Sequence, residues 1–412
     1  MISVAFLRRA APALGFGFAL TFCSSVGQTF FISLFAGEMR AAFALSHGEF
    51  GTLYTGATLA SALTLLAAGK LADRTALPLL AAVSVAGLAA AALTTAVASG
   101  AAVLGIGLFG LRLCGQGMLG HIAMTAMGRW FQGERGRAIG VVTLGYPLGE
   151  ALLPATVAAL LVTAGWRTVW VGVAGVLLLV ALPGVASLGR RGARVDAGRL
   201  STSPAQGPAS ARGEGHGQRD YTRAEVLTDL RFYALLPGIL APPFIVTGVL
   251  FQQVHLVEVK GWSLPAFAAC YPLYATSSAL SGLAAGRAVD RFGARRLLSG
   301  FLLPLAAALV TLATGSALWT AALFMFLTGA TSGATTVVLG ALWPELYGTA
   351  HLGAIRALGV TLMVFSTSIA PIVTGRLIDA GVAVPEQAGA VAAYLVVCSA
   401  YFFLIRRWLS AR

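Results

Sequence analysis

The sequence predicts an all-α polytopic membrane protein, with twelve transmembrane helices in two pseudo-symmetric six-helix bundles. Three observations carry this. Charged residues make up only 10% of the chain and hydrophobic residues 58%, whereas soluble proteins carry roughly 25% charge. Apolar stretches of about twenty residues or more recur, each long enough to cross a ~30 Å hydrocarbon layer. Six of these stretches fall on each side of a single long polar segment. A membrane barrel would instead alternate in segments of about ten residues, a pattern the chain does not show.

The first half supplies spans at about 13–36, 48–69, 77–98, 100–128, 136–163 and 166–188. Arg8 and Arg9 precede the first. Its apolar run from Ala10 to Gly37 is too long for a signal-peptide core, so a retained helix is expected. A linker at 189–230 follows. Its stretch "RRGARVDAGRLSTSPAQGPASARGEGHGQR" lacks apolar periodicity and is expected to be flexible and cytoplasmic. "YTRAEVLTDLRFYALL" then reads as a short amphipathic helix leading into the seventh span. The second half supplies spans at about 231–256, 264–286, 296–315, 317–341, 353–378 and 384–406. The expected domains are therefore residues 1–188, the linker 189–230, and 231–412.

The net charge of +13 could suggest nucleic acid, but its distribution points to topology. With the loops numbered alternately from a cytoplasmic N-terminus, 23 of the 28 Lys and Arg residues fall on the cytoplasmic side. Arg40, Arg167, Lys260 and Arg376 fall outside, and Arg112 lies within a span. This positive-inside bias predicts a bacterial-type inner-membrane protein with both termini in the cytoplasm, in contact with anionic lipid. No nucleic-acid partner is expected. All seven tryptophans fall near expected span ends, where an amphipathic ring suits the headgroup level. The four cysteines lie inside spans without metal-ligand spacing and read as small packing residues.

The halves repeat. "GKLADR" at 69–74 returns as "GRAVDR" at 286–291, 217 residues on, and Trp130 returns as Trp343, 213 residues on. A glycine at a span end lets a neighbouring helix come close. An aspartate one turn later can meet a helix N-terminus, and basic residues can pair with it or with lipid phosphate. Both copies resemble the loop signature of the major facilitator superfamily, G-x-x-x-D-R-x-G-R-R. Gly286, Asp290, Arg291, Gly293, Arg295 and Arg296 match the second copy throughout. Gly69, Asp73 and Arg74 match the first, which then departs at Thr75–Pro78. The resemblance implies a secondary transporter with a midplane site and a cytoplasmic gate. Gly69, Asp73, Arg74, Gly286, Asp290, Arg291 and Arg295 would form that gate, with Arg135 and Arg356 contributing. The family reading sets Asp73 against the start of the eleventh helix and Asp290 against the start of the fifth.

Polar residues inside spans define the expected substrate and coupling site. Arg112, in "LRLCGQGMLGH", costs about 2.5–3.5 kcal/mol at mid-membrane and should have a partner. Glu150, in "GYPLGEALLP", is the acid expected deep in a span, at a depth similar to Arg112. Two roles stand open for Arg112: anion binding with proton coupling, or a lock between the fourth and fifth helices. Leu108, Arg112, Gln116 and Gly117 resemble the superfamily signature L-x-x-x-R-x-x-Q-G with one residue inserted before the glutamine. Gln28, Gln252, Tyr271 and Tyr274 are further cavity candidates. Tyr54 and Tyr146 read as packing residues, His121 as a satisfied structural histidine and His255 as interfacial. The fifth span's Gly136, Gly140, Gly145, Pro147, Gly149 and Pro154 faintly resemble an antiporter signature.

"EVLTDLRFYAL", "HLVEVKGW" and "GTAHLGAIRAL" resemble the monocarboxylate and oxalate–formate branch. The first span lacks that branch's lysine, and the eighth lacks its Asp-Arg pair. The expected function is proton-coupled transport of a small organic anion by alternating access, as a monomer and without a cofactor. The alternatives are proton-driven efflux of amphipathic compounds and a transporter-like sensor without flux. No phosphate-binding loop, metal cluster or nucleophile motif points to an enzyme.

Overall fold

The computed structural model describes residues 4–131, 134–200, 220–406 and 408–410. The described chain is helical, and its contacts divide it into two units. One comprises residues 1–45 and 52–211, the other 46–51 and 212–412.

In the first unit, α1 (Val4–Ser24) continues through short helical pieces to Phe43. There follow α2 (His47–Ala68), α3 (Leu77–Ala96), α4 (Ala101–Trp130), α5 (Arg135–Thr163) and α6 (Trp166–Ala193). The second unit holds α7 (Leu230–Phe251), α8 (Tyr271–Phe292), α9 (Leu303–Thr314), α10 (Leu318–Tyr347), α11 (Leu352–Asp379) and α12 (Val384–Ile405). Among the described residues ten helices are long and apolar enough to cross a membrane. The remaining two expected spans are α8, which is long enough but rich in Ser, Tyr and charge, and α9, which is apolar but has only 12 residues. The structure thus describes a multi-pass membrane protein consistent with twelve spans.

The final helix of the first half runs on to Leu200, past the expected linker edge at 188. The rest of the predicted flexible stretch, 201–219, lies outside the described residues. From residue 220 the chain is held down. The Asp220 carboxylate accepts from the N–H groups of Thr349 (2.8 Å) and Ala350 (3.1 Å). The amphipathic helix forms at Arg223–Thr228 behind a Thr222–Glu225 capping box.

Inside a bilayer, helices associate by close packing rather than by expulsion of water, so small residues mark the contacts. In the first unit Gly145 and Gly149 of α5 press on Thr21 and Ser25 of the first helix. This close packing gives the glycine-rich fifth span a local reason. Gly115 of α4 lies against the Gly27 backbone, where any side chain would collide. In the second unit Gly329 and Gly333 of α10 sit against Ser277 and the carbonyls of Tyr274 and Ser278 in α8. The first turn of α2 also belongs to the second unit. There the Asp379 carboxylate accepts from the Ser46 hydroxyl (2.8 Å) and the N–H groups of His47 (3.0 Å) and Gly48 (2.9 Å).

The tryptophans divide. Trp319 is exposed, at 66%, as an interfacial belt requires, and Trp408 is also open. Trp130, Trp166, Trp170 and Trp343 are buried. Trp170 lies between the rings of Phe35 (4.7 Å) and Phe31 (5.6 Å). Such pairs contribute about 0.5–1.5 kcal/mol each beyond area burial, so these rings hold the unit together.

Candidate functional site

The first unit gathers its polar residues where its first helix breaks. Ser25–Gly27 is a tight 3₁₀ turn and Gln28 is extended, at φ −83° and ψ 154°. The N–H groups of Phe31 and Ile32 both bond to the Gln28 carbonyl. The Gly27 carbonyl therefore points out of the ladder, and an unpaired carbonyl in hydrocarbon is costly. Arg112 satisfies it: Nη1 donates to Gly27 O at 3.1 Å and lies 3.5 Å from Thr29 Oγ1. The Tyr54 hydroxyl of α2 donates to the same Thr29 oxygen at 2.9 Å. The guanidinium sits 5.3 Å from the Tyr54 ring centre, in cation–π range.

Arg112 is only 5% exposed, and its Nε has no hydrogen-bond partner. Among the described residues no acid pairs with it, and Glu150 makes no hydrogen bond or ion pair either. An Arg112–Glu150 lock between α4 and α5, one of the two roles left open, is therefore not formed among the described residues. What Arg112 holds is α4 against the break in the first helix and, through Tyr54, α2. Glu150 is half-buried and follows Gly149, which packs on Ser25 of the same break. Gln28 is half-buried at the break and Gln116 is exposed on α4. Tyr54, read from sequence as packing, is a contact of the cation. Its spacing in α2 carried no sign of that role.

The middle of α4, Leu111–Leu119, is a π-helix. A turn closed by i→i+5 bonds holds one residue more than an α-turn, and such turns concentrate at functional sites. One residue is also the amount by which this stretch exceeds the family signature. The insertion is taken up as local overwidth, and Arg112 and Gln116 remain one turn apart.

In the second unit α7 ends at Phe251 and the chain restarts at Gln253. Gln252 is buried at this joint. Its Oε1 lies 3.1 Å from His47 Nδ1, and its Nε2 has no partner. The His255 ring, expected at the interface, is half-buried and packs edge-on to that of His47 at 4.8 Å. Tyr271 is buried and donates to Gln253 Oε1 at 3.0 Å, which ties α8 to the joint. Tyr274 is different: its hydroxyl donates to Ser332 Oγ at 3.0 Å on the wall of a cavity of about 620 Å³. Ser332, Thr335 and Thr336 line this cavity from α10, in a small-polar run "TGATSGATT" that sequence reasoning passed over.

The gate residues resolve into two ion pairs. Arg129, at the end of α4, donates to Asp73 at 2.6 Å and to the Ala72 carbonyl at 2.8 Å. The Gly69 carbonyl lies 3.1 Å from His121 Nε2, so that histidine is satisfied as expected. In the second unit Arg295 donates to Glu345, near the end of α10, at 2.7 Å, and Glu345 also accepts from Ala294 N–H at 2.6 Å. Both repeats thus clamp the same loop to the same helix end, with the signs of the pair exchanged. Arg129 and Glu345 were not singled out in the sequence. Gly286 departs from its expected role, since a side chain there would meet nothing within 4 Å. Asp290 and Arg74 are exposed, Arg291 lies over the Phe292 ring, and Arg135 opens α5 in solvent. Arg356 donates to the Gly340 carbonyl at 2.7 Å and lines the α10 cavity.

Long apolar helices in two units, with a broken first helix and buried polar groups at the break, define a polytopic membrane transporter. The chain belongs to the Major Facilitator Superfamily, whose family model matches residues 17–283. No curated protein sequence matches it. Its fold is similar to a bacterial homolog of the human lysosomal transporter Spinster, in an inward-facing, unoccupied crystal structure. That match has 18% identity and a TM-score of 0.64 over 98% of each chain. It is also similar to the nucleoside transporter NupG, at 12% identity and a TM-score of 0.65 over 96% of this chain and 98% of that one.

Proposed function

We propose that this chain is a secondary transporter of an organic anion, coupled to protons and working by alternating access. The observation that carries the reading is Arg112. A buried guanidinium costs several kcal/mol unless paired, and this one has a free Nε and no acid partner among the described residues. A carboxylate or similar anion would supply the missing charge and take a charge-assisted hydrogen bond. Glu150 follows Gly149, which lies against Ser25 of the same break, and is our candidate for the proton carrier. Ionised, it competes with the anion for Arg112; protonated, it leaves the cation free. The partial resemblance to the monocarboxylate branch, without that branch's lysine and Asp-Arg pair, supports an anion as cargo and leaves its kind open.

Uptake by proteoliposomes over a pH series tests both roles. Arg112→Lys keeps the charge but loses the Nη1 that reaches both the Gly27 carbonyl and Thr29 Oγ1. A charge-assisted bond contributes about 1.5–3 kcal/mol, so uptake should fall at least about tenfold. Glu150→Gln should transport down a substrate gradient yet fail to accumulate substrate against one when the outside is acid. Full pH-driven accumulation by Glu150→Gln would remove the proton role.

A further inference from the structure

The second unit's cavity, lined from α7, α8, α10 and α11 and open on one side, where Arg356 is exposed, has a composition unlike the Arg112 site. Its body is apolar: Leu236, Ile239, Pro243, Val360 and Met363 are among its walls, with Trp343 at one side. Its polarity is local. The Tyr274–Ser332 pair and the hydroxyls of Thr335 and Thr336 form one patch. Arg356 is the cation in the lining, and its hydrogen bond is to a backbone carbonyl. Among the described residues no acid pairs with it. Size also decides. At ~30 Å³ per water, about 620 Å³ equals roughly twenty water volumes. An acetate-sized anion would leave most of that space filled by water against apolar walls. The volume falls within the range of about 300–1,000 Å³ found for drug-sized ligands.

We infer that this cavity is a binding site for an anionic amphiphile, its acidic head at Arg356 and its apolar body among the α7 and α11 side chains. This deepens the anion-transport reading and rests on it for the sign of the cargo. It differs in making most of the recognition apolar.

The test measures binding of straight-chain carboxylates from butanoate to dodecanoate, and of their neutral primary amides, to the full chain in nanodiscs. Quenching of Trp343 fluorescence gives the readout, with Trp343→Phe subtracting the other tryptophans and empty nanodiscs subtracting partition into lipid. Burying one CH₂ corresponds to about a fourfold gain in affinity, so carboxylate affinity should climb steeply with chain length until the cavity is full. Gly340→Leu tests occupancy. Gly340 lines the cavity, and a Cβ there meets nothing within 4 Å, so the new side chain enters empty space. It should flatten the chain-length series while leaving melting temperature unchanged. Arg356→Gln should weaken all carboxylates about equally, by tenfold or more, and leave the amides unaffected. A flat series, or one that Gly340→Leu does not alter, overturns the inference. So does equal binding of acid and amide. The outcomes separate from those at Arg112: normal uptake by Arg112→Lys would remove the anion-site reading, yet a steep, Gly340-sensitive series would keep the cavity site.

Discussion

A guanidinium buried at mid-membrane has five N–H donors to place. Arg112 places some of them on a carbonyl that exists as an acceptor because the first helix breaks at Gly27. The break in turn needs glycine: a Cβ at Gly27 would strike the Leu111 carbonyl and the Gly115 Cα. Gly115→Val should therefore lower the melting temperature markedly, at the about 1–3 kcal/mol typical of overpacking. Its partner there is backbone, which cannot rotate away. Tyr54→Phe is a gentler probe. It keeps the ring under the cation and deletes the hydroxyl that donates to Thr29. A net loss of about 1 kcal/mol is expected for one neutral hydrogen bond, seen as a small thermal shift. The Thr29 oxygen then has Arg112 as its donor, so anion affinity should change in the same preparation. A melting shift without any change in anion affinity would detach Tyr54 from the site.

At the scale of helices, α10 carries its glycines to two different ends. Gly329 and Gly333 face α8 and bring the two backbones together, whereas Gly340 faces the cavity. Gly329→Leu should disrupt the α8–α10 contact and fail a thermal-stability assay that Gly340→Leu passes. Equal behaviour of the two variants would show that helix propensity, not packing, governs this helix. Gly329 and Gly333 share the small-residue run at 328–336, whereas Gly340 follows Val337, Val338 and Leu339, where a lone glycine gives no sign of the face it takes. Most helices were legible from length and hydropathy. α8 was placed with the other apolar stretches, at 264–286, although its serines, tyrosines and charges lower its apolar signal. The break at Gly27, the π-turn around Arg112 and the joint at Gln252 were not legible. The break leaves its Gly27 carbonyl to Arg112 of another helix, and the joint is tied by His47 and Tyr271 from other helices, contacts that no local pattern records. The same holds for the clamps. Asp73 and Arg295 stood out through the loop motif, but their partners Arg129 and Glu345 lie at helix ends where charge is ordinary. The exposed Arg129–Asp73 pair is of the kind that contributes about 0.2–1 kcal/mol. Arg129→Gln should therefore cost little stability and act chiefly on transport rate, measurable as initial uptake at saturating substrate.

For the molecule as a whole, charge placement carries the orientation. Arg287 and Arg291 near the end of α8, and Arg295 and Arg296 just beyond it, crowd the α8–α9 corner, while Lys260 precedes the other end of α8. Each cation near an anionic leaflet gains about 1 kcal/mol, so the α8–α9 segment should stay on the cytoplasmic side. Not all four arginines serve that purpose alone. Arg295 is held by Glu345, whereas Arg287, Arg291 and Arg296 are exposed and make no ion pair with another described residue. Replacing those three with glutamine should leave the fold of the second unit intact and weaken its orientation signal. Reporter fusions give the readout: alkaline phosphatase inserted after Phe292 should be inactive, and inserted after Lys260 active. Fluorescent protein at the same positions should show the reverse. The triple variant alone should keep this pattern, because the basic loops of the first half still bias the chain. Adding glutamine at Arg129, Arg135 and Arg137 should begin to mix the two orientations. A phosphatase active after Phe292 in the unaltered chain would invert the topology and put the Asp73 and Arg295 clamps on the outer face.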